Sequence, residues 1–173
     1  MIYYYGGGFD PFTKAHAKII DTVVNWMSPG DVFYIGVTTV EDYKKYTYDF
    51  SKRYEIIYSH MFETYLTPKL FKFKWQLLNQ FDNTWNFLHK FLPEEKQKEI
   101  CLVIGADEYK DLSEKKWEHS DDILNTYLIR TIDRVDSISA TKVRELLANN
   151  ATWDDLKDYI TENTFKYLTE ETK

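Results

Sequence analysis

The residues of this chain best suited to chemistry stand together near its start, in GGGFDPFTKAH (6–16). Three consecutive glycines follow an apolar run in a chain with only 6 glycines in 173 residues, and His16 comes ten residues after the first of them. Glycines tolerate positive φ and let backbone approach a ligand closely. A helix that starts just beyond them offers unpaired N–H groups and a positive dipole end to an anion. Thr13 is the right residue type to cap such a helix from Lys14, which puts His16 on its first turn. An imidazole N–H there can stabilise negative charge developing on a phosphoryl group. Taken singly, the glycines and Asp10-Pro11 make an ordinary turn, and His16 is an ordinary core or surface histidine. Their convergence at the carboxyl end of one strand is what points to a site, because open α/β sheets bind ligands there. The stretch is neither a P-loop, since no Gly-Lys-Ser/Thr follows, nor a dinucleotide G-x-G-x-x-G.

A second group lies in ISATKVREL (138–146). Ser139 or Ser137 can cap a helix whose first-turn N–H groups face an anion. Thr141 adds a hydroxyl, and Arg144 can pair with phosphate oxygens through two N–H groups. The plainer reading is an amphipathic helix with Val143, Leu146 and Leu147 on its core face.

The pattern around these groups predicts the elements that hold them. Residues 2–5 and VFYIGV (32–37) read as buried strands, separated by a helix from Lys14 that Pro29-Gly30-Asp31 ends. A helix over 51–65, a third strand in LFKFKW (70–75) and a short helix over 84–92 follow. CLVIGA (101–106) is a clear strand, NTYLIRT (125–131) another, and a helix runs over 140–148. Two acidic helical segments, near 152–159 and 161–168, close the chain as a helical cover on the sheet edge. Strands alternating with helices imply right-handed βαβ units and a parallel sheet, an α/β fold.

Length and composition bound the rest. A chain of 173 residues predicts one domain, and at that size about 70% of the unfolded surface is buried without help from disulfides. The single Cys101 excludes an intrachain disulfide framework and a multi-cysteine zinc site. Without a signal-peptide pattern or a long apolar run, a soluble, cytoplasmic protein with no membrane contact is expected. A net charge of −6 argues against a general nucleic-acid binder, yet a small phosphorylated ligand needs only a few local cations and backbone N–H groups.

GGGFDPFTKAH resembles the GG-x-FDP-x-(His/Thr)-xx-His signature of the adenylyltransferase and cytidylyltransferase superfamily, whose hallmark is His-x-Gly-His. Thr13 stands at the first histidine position, His16 at the second, and Ala15 replaces the usual glycine. ISATKVREL resembles the family's Ile-Ser-(Ser/Thr)-Thr-xx-Arg element, with Ala140 in place of one hydroxyl residue. CLVIGADEYKDLSEKKWEHSDDI resembles the Gly-Ala-Asp to tryptophan segment of nicotinate and nicotinamide mononucleotide adenylyltransferases, and NTWNFL (83–88) more loosely their Tyr-Thr-x-Asp-Thr-Leu.

The resemblance implies a Rossmann-like parallel sheet flanked by helices, in a single nucleotidyltransferase domain with a C-terminal helical cover over about 150–173. It implies transfer of the adenylyl group of ATP to a pyridine mononucleotide in NAD biosynthesis. Catalysis then falls to His16 and Thr13, with Gly7, Gly8 and Phe9 forming the nucleotide floor. Gly105 and Asp107 serve the adenosine, while Ser139, Thr141 and Arg144 grip the outer phosphates with Mg²⁺. Thr84, Trp117, Asp10 and Lys45 belong to the mononucleotide, Trp117 stacking on its cationic ring. Lys44 and Arg53 lie where relatives hold phosphate-binding cations. Three alternatives stay open: phosphopantetheine as acceptor, which gives Trp117 no ring to stack on; a cytidylyltransferase, whose Arg-Thr element is too far from Ile138 at Arg130-Thr131; and a non-catalytic nucleotide sensor. The preference between acid and amide is open, as is homo-oligomer formation.

Overall fold

The structure, a computed structural model, describes residues 1–39, 45–65, 74–133 and 138–170. Five strands pair in parallel in the order β3-β2-β1-β4-β5. They are β1 (Ile2–Gly7), β2 (Val32–Thr38), β3 (Lys74–Gln80), β4 (Ile100–Gly105) and β5 (Leu128–Ile132). Helices α1 (Lys14–Trp26), α2 (Phe50–Tyr65), α3 (Thr84–Phe91), α4 (Ala106–Ser113) and α5 (Ser120–Thr126) connect them. A 3₁₀ turn over Glu94–Glu99 leads into β4. After β5 come α6 (Ala140–Ala148), α7 (Trp153–Leu156) and α8 (Glu162–Thr169). This is the Rossmann-like α/β arrangement expected from the sequence.

The central strands are apolar throughout because both faces of the sheet are covered. Alternation sorts their side chains. Tyr3, Tyr5, Phe33, Ile35, Val37, Cys101 and Val103 pack on one face against Ile20 and Val23 of α1 and Ile56, Ile57 and Met61 of α2. Tyr4, Ile100, Leu102 and Ile104 pack on the other against Phe87 and Leu88 of α3, Leu112 of α4 and Ile123 of α5. A third, smaller cluster of Val143, Leu156 and Ile160 ties α6 to the C-terminal segment.

Three expectations are corrected. The third strand, expected over 70–75, continues beyond that end to Gln80; its described part is Lys74–Gln80, and residues 70–73 lie outside those described. Pairing with β2, from Val32↔Lys74 to Thr38↔Gln80, carries the strand on past Trp75. The fifth strand starts at Leu128 rather than 125, because SDDILNT closes a helical turn with Asp121 and Asp122 at its positive end. The C-terminal cover sits on helices and not on a sheet edge. The carbonyl of Tyr159 accepts from Lys14 N–H at 2.8 Å, Asn163 Nδ2 donates to Ser59 Oγ of α2 at 2.9 Å, and Tyr167 and Leu168 join the core beneath α1 and α2.

Candidate active site

β1 lies between β2 and β4, so the chain winds outward in opposite directions from the gap between β1 and β4. A crevice opens at the carboxyl ends of such a pair, and here it holds a cavity of about 380 Å³. Residues 6–10, Thr13, Ala15, His16, Lys18 and Ile19 line it from the β1–α1 side, and 105–108 from the β4–α4 side. Ile132, Asp133, residues 138–141 and Arg144 complete the wall. Gly7, Gly8, Phe9, Asp10, Thr13, His16, Gly105, Asp107, Ser139, Thr141 and Arg144 thus meet around one space, although up to 137 positions separate them in sequence.

His16 is oriented by the start of its own helix. Thr13 is the N-cap of α1 and forms a reciprocal capping box with His16 at the third helical position. The Thr13 N–H donates to His16 Nδ1 at 2.9 Å, while His16 N–H reaches Thr13 Oγ1 at 3.4 Å. A backbone N–H can only donate, so Nδ1 accepts and the neutral ring carries its proton on Nε2. Phe12 stacks on the imidazole with centroids 5.8 Å apart, and Phe9 meets it edge-on at 5.0 Å.

The glycine run acts differently from expectation. The positive φ in this turn belongs to Phe9, at 51°, a conformation that costs a bulky residue strain and must be held by its surroundings. Phe9 is buried against Tyr5, Phe12 and His16. Gly8 is needed for close approach: a Cβ there would lie 2.5 Å from the Tyr46 ring.

What holds Tyr46 in place is a clamp that the sequence did not announce. Asp10, 3% exposed, accepts Thr47 N–H at 2.8 Å on one carboxylate oxygen and Tyr48 N–H at 2.9 Å on the other. Arg53, also 3% exposed, donates to the carbonyls of Tyr48, Gly8 and Thr38 and lies 4.0 Å over the Tyr46 ring. Arg53 is therefore neither a surface residue nor a cavity-lining cation. The carboxylate of Asp10 is likewise engaged with backbone. No local periodicity signals either role: Asp10's partners lie 37 and 38 residues away, and Arg53's carbonyl partners are 5, 15 and 45 residues away on three separate segments.

The second motif docks against the first. Ser139 caps α6, its Oγ accepting from Lys142 N–H at 3.0 Å. Arg144 donates from Nη1 to the carbonyl of Asp10 at 2.6 Å and from Nη2 to Thr141 Oγ1 at 3.0 Å. These bonds engage part of a guanidinium that carries five N–H donors. Ser137 and Lys44 lie outside the described residues.

The charges are divided between the walls. Lys18 comes from α1, beside the His16 imidazole, and Arg144 from α6, whereas Asp107 and Glu108 stand on α4 and Asp133 follows β5. Burial, reinforced by Glu108, pushes the Tyr5 phenol well above its ordinary range and keeps it neutral. Lys18 was missed from the sequence, where it reads as one more polar position on an amphipathic helix. Among the described residues no three or more His, Cys, Asp or Glu side chains group to hold a metal ion. This donor set suits a cation that keeps its waters and arrives on phosphate oxygens, as Mg²⁺ does.

Thr84, Trp117 and Lys45 do not line this cavity. Thr84 opens α3 behind its cap Asn83, and Asn83 Nδ2 donates to Glu118 Oε2 at 2.7 Å. That bond joins the start of α3 to the loop carrying Trp117, whose ring packs half-buried against the second core cluster. Arg130 stacks on Trp26 at 4.7 Å, away from the site.

The family model for Cytidylyltransferase-like proteins matches residues 4–146. No curated protein matches the chain in sequence. Among solved structures, a Vibrio parahaemolyticus protein assigned as a nicotinate-nucleotide adenylyltransferase is similar at 16% identity and a TM-score of 0.69, over 97% of this chain and 98% of that one. The nicotinic acid mononucleotide adenylyltransferase of Plasmodium falciparum complexed with NaAD is similar at 20% identity and a TM-score of 0.68, over 96% and 93%. A bifunctional NMN adenylyltransferase/ADP ribose pyrophosphatase from Francisella tularensis, complexed with AMP and a Mn ion, gives 18% and 0.59, over 95% of this chain and 45% of that one.

Proposed function

The chain belongs to the cytidylyltransferase-like family, and we propose that it is an adenylyltransferase that joins ATP to nicotinate or nicotinamide mononucleotide, forming the dinucleotide and pyrophosphate in the cytoplasm. The observation that carries this reading is the imidazole of His16, fixed by Thr13 at a helix N-terminus and facing the same cavity as Arg144. The names and ligands of the Plasmodium and Francisella proteins support the choice of substrates.

In this reaction a 5′-phosphate oxygen of the mononucleotide attacks the α-phosphorus of ATP, and the bond to pyrophosphate breaks with its electrons. No covalent enzyme intermediate forms, so the protein's contribution is positioning and charge stabilisation. His16 Nε2–H donates to a non-bridging α-phosphate oxygen as charge gathers there, and Thr13 holds the ring. Arg144, Thr141 and the capped start of α6 bind the departing phosphates, with Lys18 adding charge from α1. Mg²⁺ carried in on the triphosphate supplies further neutralisation. Gly7, Gly8 and Phe9 form the floor, and Gly105 and Asp107 receive the adenosine ribose. Asp10 is a positioning residue, holding the 45–49 loop and with it Lys45. Thr84 and Trp117 take the pyridine ring, beside the nucleotide cavity rather than within it.

The reading is tested by pyrophosphate release from Mg-ATP with nicotinate mononucleotide, nicotinamide mononucleotide or phosphopantetheine as acceptor. Turnover with at least one pyridine mononucleotide is expected. Turnover with phosphopantetheine alone would overturn the roles of Thr84 and Trp117.

A further inference from the structure

Beneath the nucleotide floor a buried hydrogen-bonded line crosses the sheet. Tyr4 is fully buried, and its Oη donates to Oε1 of Gln80, which is 5% exposed. Gln80 Nε2 donates onward to the carbonyl of Asp82 at 3.0 Å. The line runs from β1 to the end of β3 across β2, and β2 makes room for it with glycine: a Cβ on Gly36 would collide with the Tyr4 hydroxyl. Packing alone does not ask for this arrangement. Tyr4 sits in an apolar cluster where phenylalanine would leave no polar atom to satisfy, and a glycine within a strand weakens it.

The line ends at a turn that is itself tightly bonded. Asp82 Oδ1 accepts Asn83 N–H at 2.7 Å, and that bond first of all holds the Asp82 carboxyl below its ordinary range. Asn83 Oδ1 accepts Asn86 N–H at 2.9 Å to cap α3, while its amide reaches Glu118. The backbone of Gln80 is fixed separately, its carbonyl accepting Thr39 N–H at 2.9 Å.

We propose that Tyr4 and Gln80 are positioning residues for the acceptor: they set the 82–84 turn, and through Asn83 and Glu118 the Trp117 loop, relative to the nucleotide cavity, whose wall at Gly6 abuts Gln80 Oε1. The inference rests on the reading above of Thr84 and Trp117 as the ring side of the site. Its prediction is a split. In Tyr4→Phe the KM for the pyridine mononucleotide rises about tenfold, as loss of one buried hydrogen bond at a binding surface implies, while kcat and the KM for ATP stay within about twofold. Gln80→Met, which cuts both bonds, gives the same split. Hydrogen exchange supplies a readout that needs no turnover: the bonded amides of Asn83 and Asn86 exchange about tenfold faster in Tyr4→Phe, a loss of about 1.4 kcal/mol of local protection, while those of α1 are unchanged.

Loss of folding in both variants, or ATP and mononucleotide constants that move together, would make these two residues plain core and overturn the proposal. So would unchanged exchange at Asn83 and Asn86. A wild-type protein inactive on both pyridine mononucleotides, but with the local exchange effect, would refute the function and leave the link between Tyr4 and the turn in place.

Discussion

The imidazole of His16 meets the cavity already oriented, because Thr13 N–H occupies Nδ1 and Phe12 lies against the ring. Removing one preorganised donor from such a centre costs about 10²–10³ in rate. His16→Ala is therefore expected to lose that much kcat, with about 1 kcal/mol of stability from the broken capping box; retention of more than about a tenth of wild-type turnover contradicts the role. Asp10 makes a different prediction. Its carboxylate accepts backbone N–H groups on both oxygens, and an amide can do so on only one. Asp10→Asn should lose about 1–3 kcal/mol in urea unfolding, the range for a buried polar group left unpaired. The contrast shows what was readable at this scale. His16, Thr13 and Arg144 follow from residue type, cap position and motif spacing. Asp10 sits in the same motif, but one-letter codes do not say that its side chain turns to residues 47 and 48. Arg53 lies in an unremarkable helix, and its three carbonyl partners come from three separate segments.

At the scale of elements, the site depends on segments that touch only because the sheet brings their ends together. The β1–α1 turn and the 45–49 loop interlock where Tyr46 lies over Gly8. In a double-mutant cycle, Gly8→Ala is expected to destabilise the protein and raise the KM for ATP. Tyr46→Ala in the same chain should recover part of both losses, whereas simple additivity would mean that the ring is not what Gly8 accommodates. The elements that were readable include β1, β2, β4, α1, α2, α3 and α6, where continuous apolar runs, a 3.6-residue period or a following proline leave little choice. β3 was read short at its end because pairing with β2, not local pattern, carries it from Trp75 on to Gln80. α4 and α5 were missed because each is short and acidic, burying little beyond Leu112 in the first and Ile123 in the second.

The whole molecule carries its titratable groups in a way that bounds its stability from both sides. Burial, mainly, raises the phenols of Tyr3, Tyr4, Tyr5, Tyr48, Tyr65 and Tyr127 above the usual 10.0. The unfolded chain then releases those protons first, so their stabilisation is complete below pH 10 and is lost as pH rises beyond it. His60 works at the other limit. Its Nε2 is buried with no hydrogen-bond partner among the described residues, and burial lowers its pKa below 6.5 against the opposing pull of Glu63 and Asp21. The unfolded chain binds that proton first, so stability declines as pH falls through about 6.5. Asp31 and Asp82, held below 3.8 chiefly by the N–H groups of Ser28 and Asn83, extend the loss at lower pH. The thermal midpoint should form a plateau between about pH 7 and 10, and His60→Phe should flatten its acid shoulder between about pH 7 and 5. An unchanged shoulder in that variant would remove His60 from the account.

The most direct test of the central claim follows the α-phosphorus itself. Mg-ATP labelled at that atom is incubated with the wild-type protein and each pyridine mononucleotide, and the products are separated. Attack at the α-phosphorus, guided by His16, places the label in the dinucleotide and leaves the released pyrophosphate unlabelled. ATP that binds but never yields labelled dinucleotide with either mononucleotide would contradict the assignment of this cavity to adenylyl transfer.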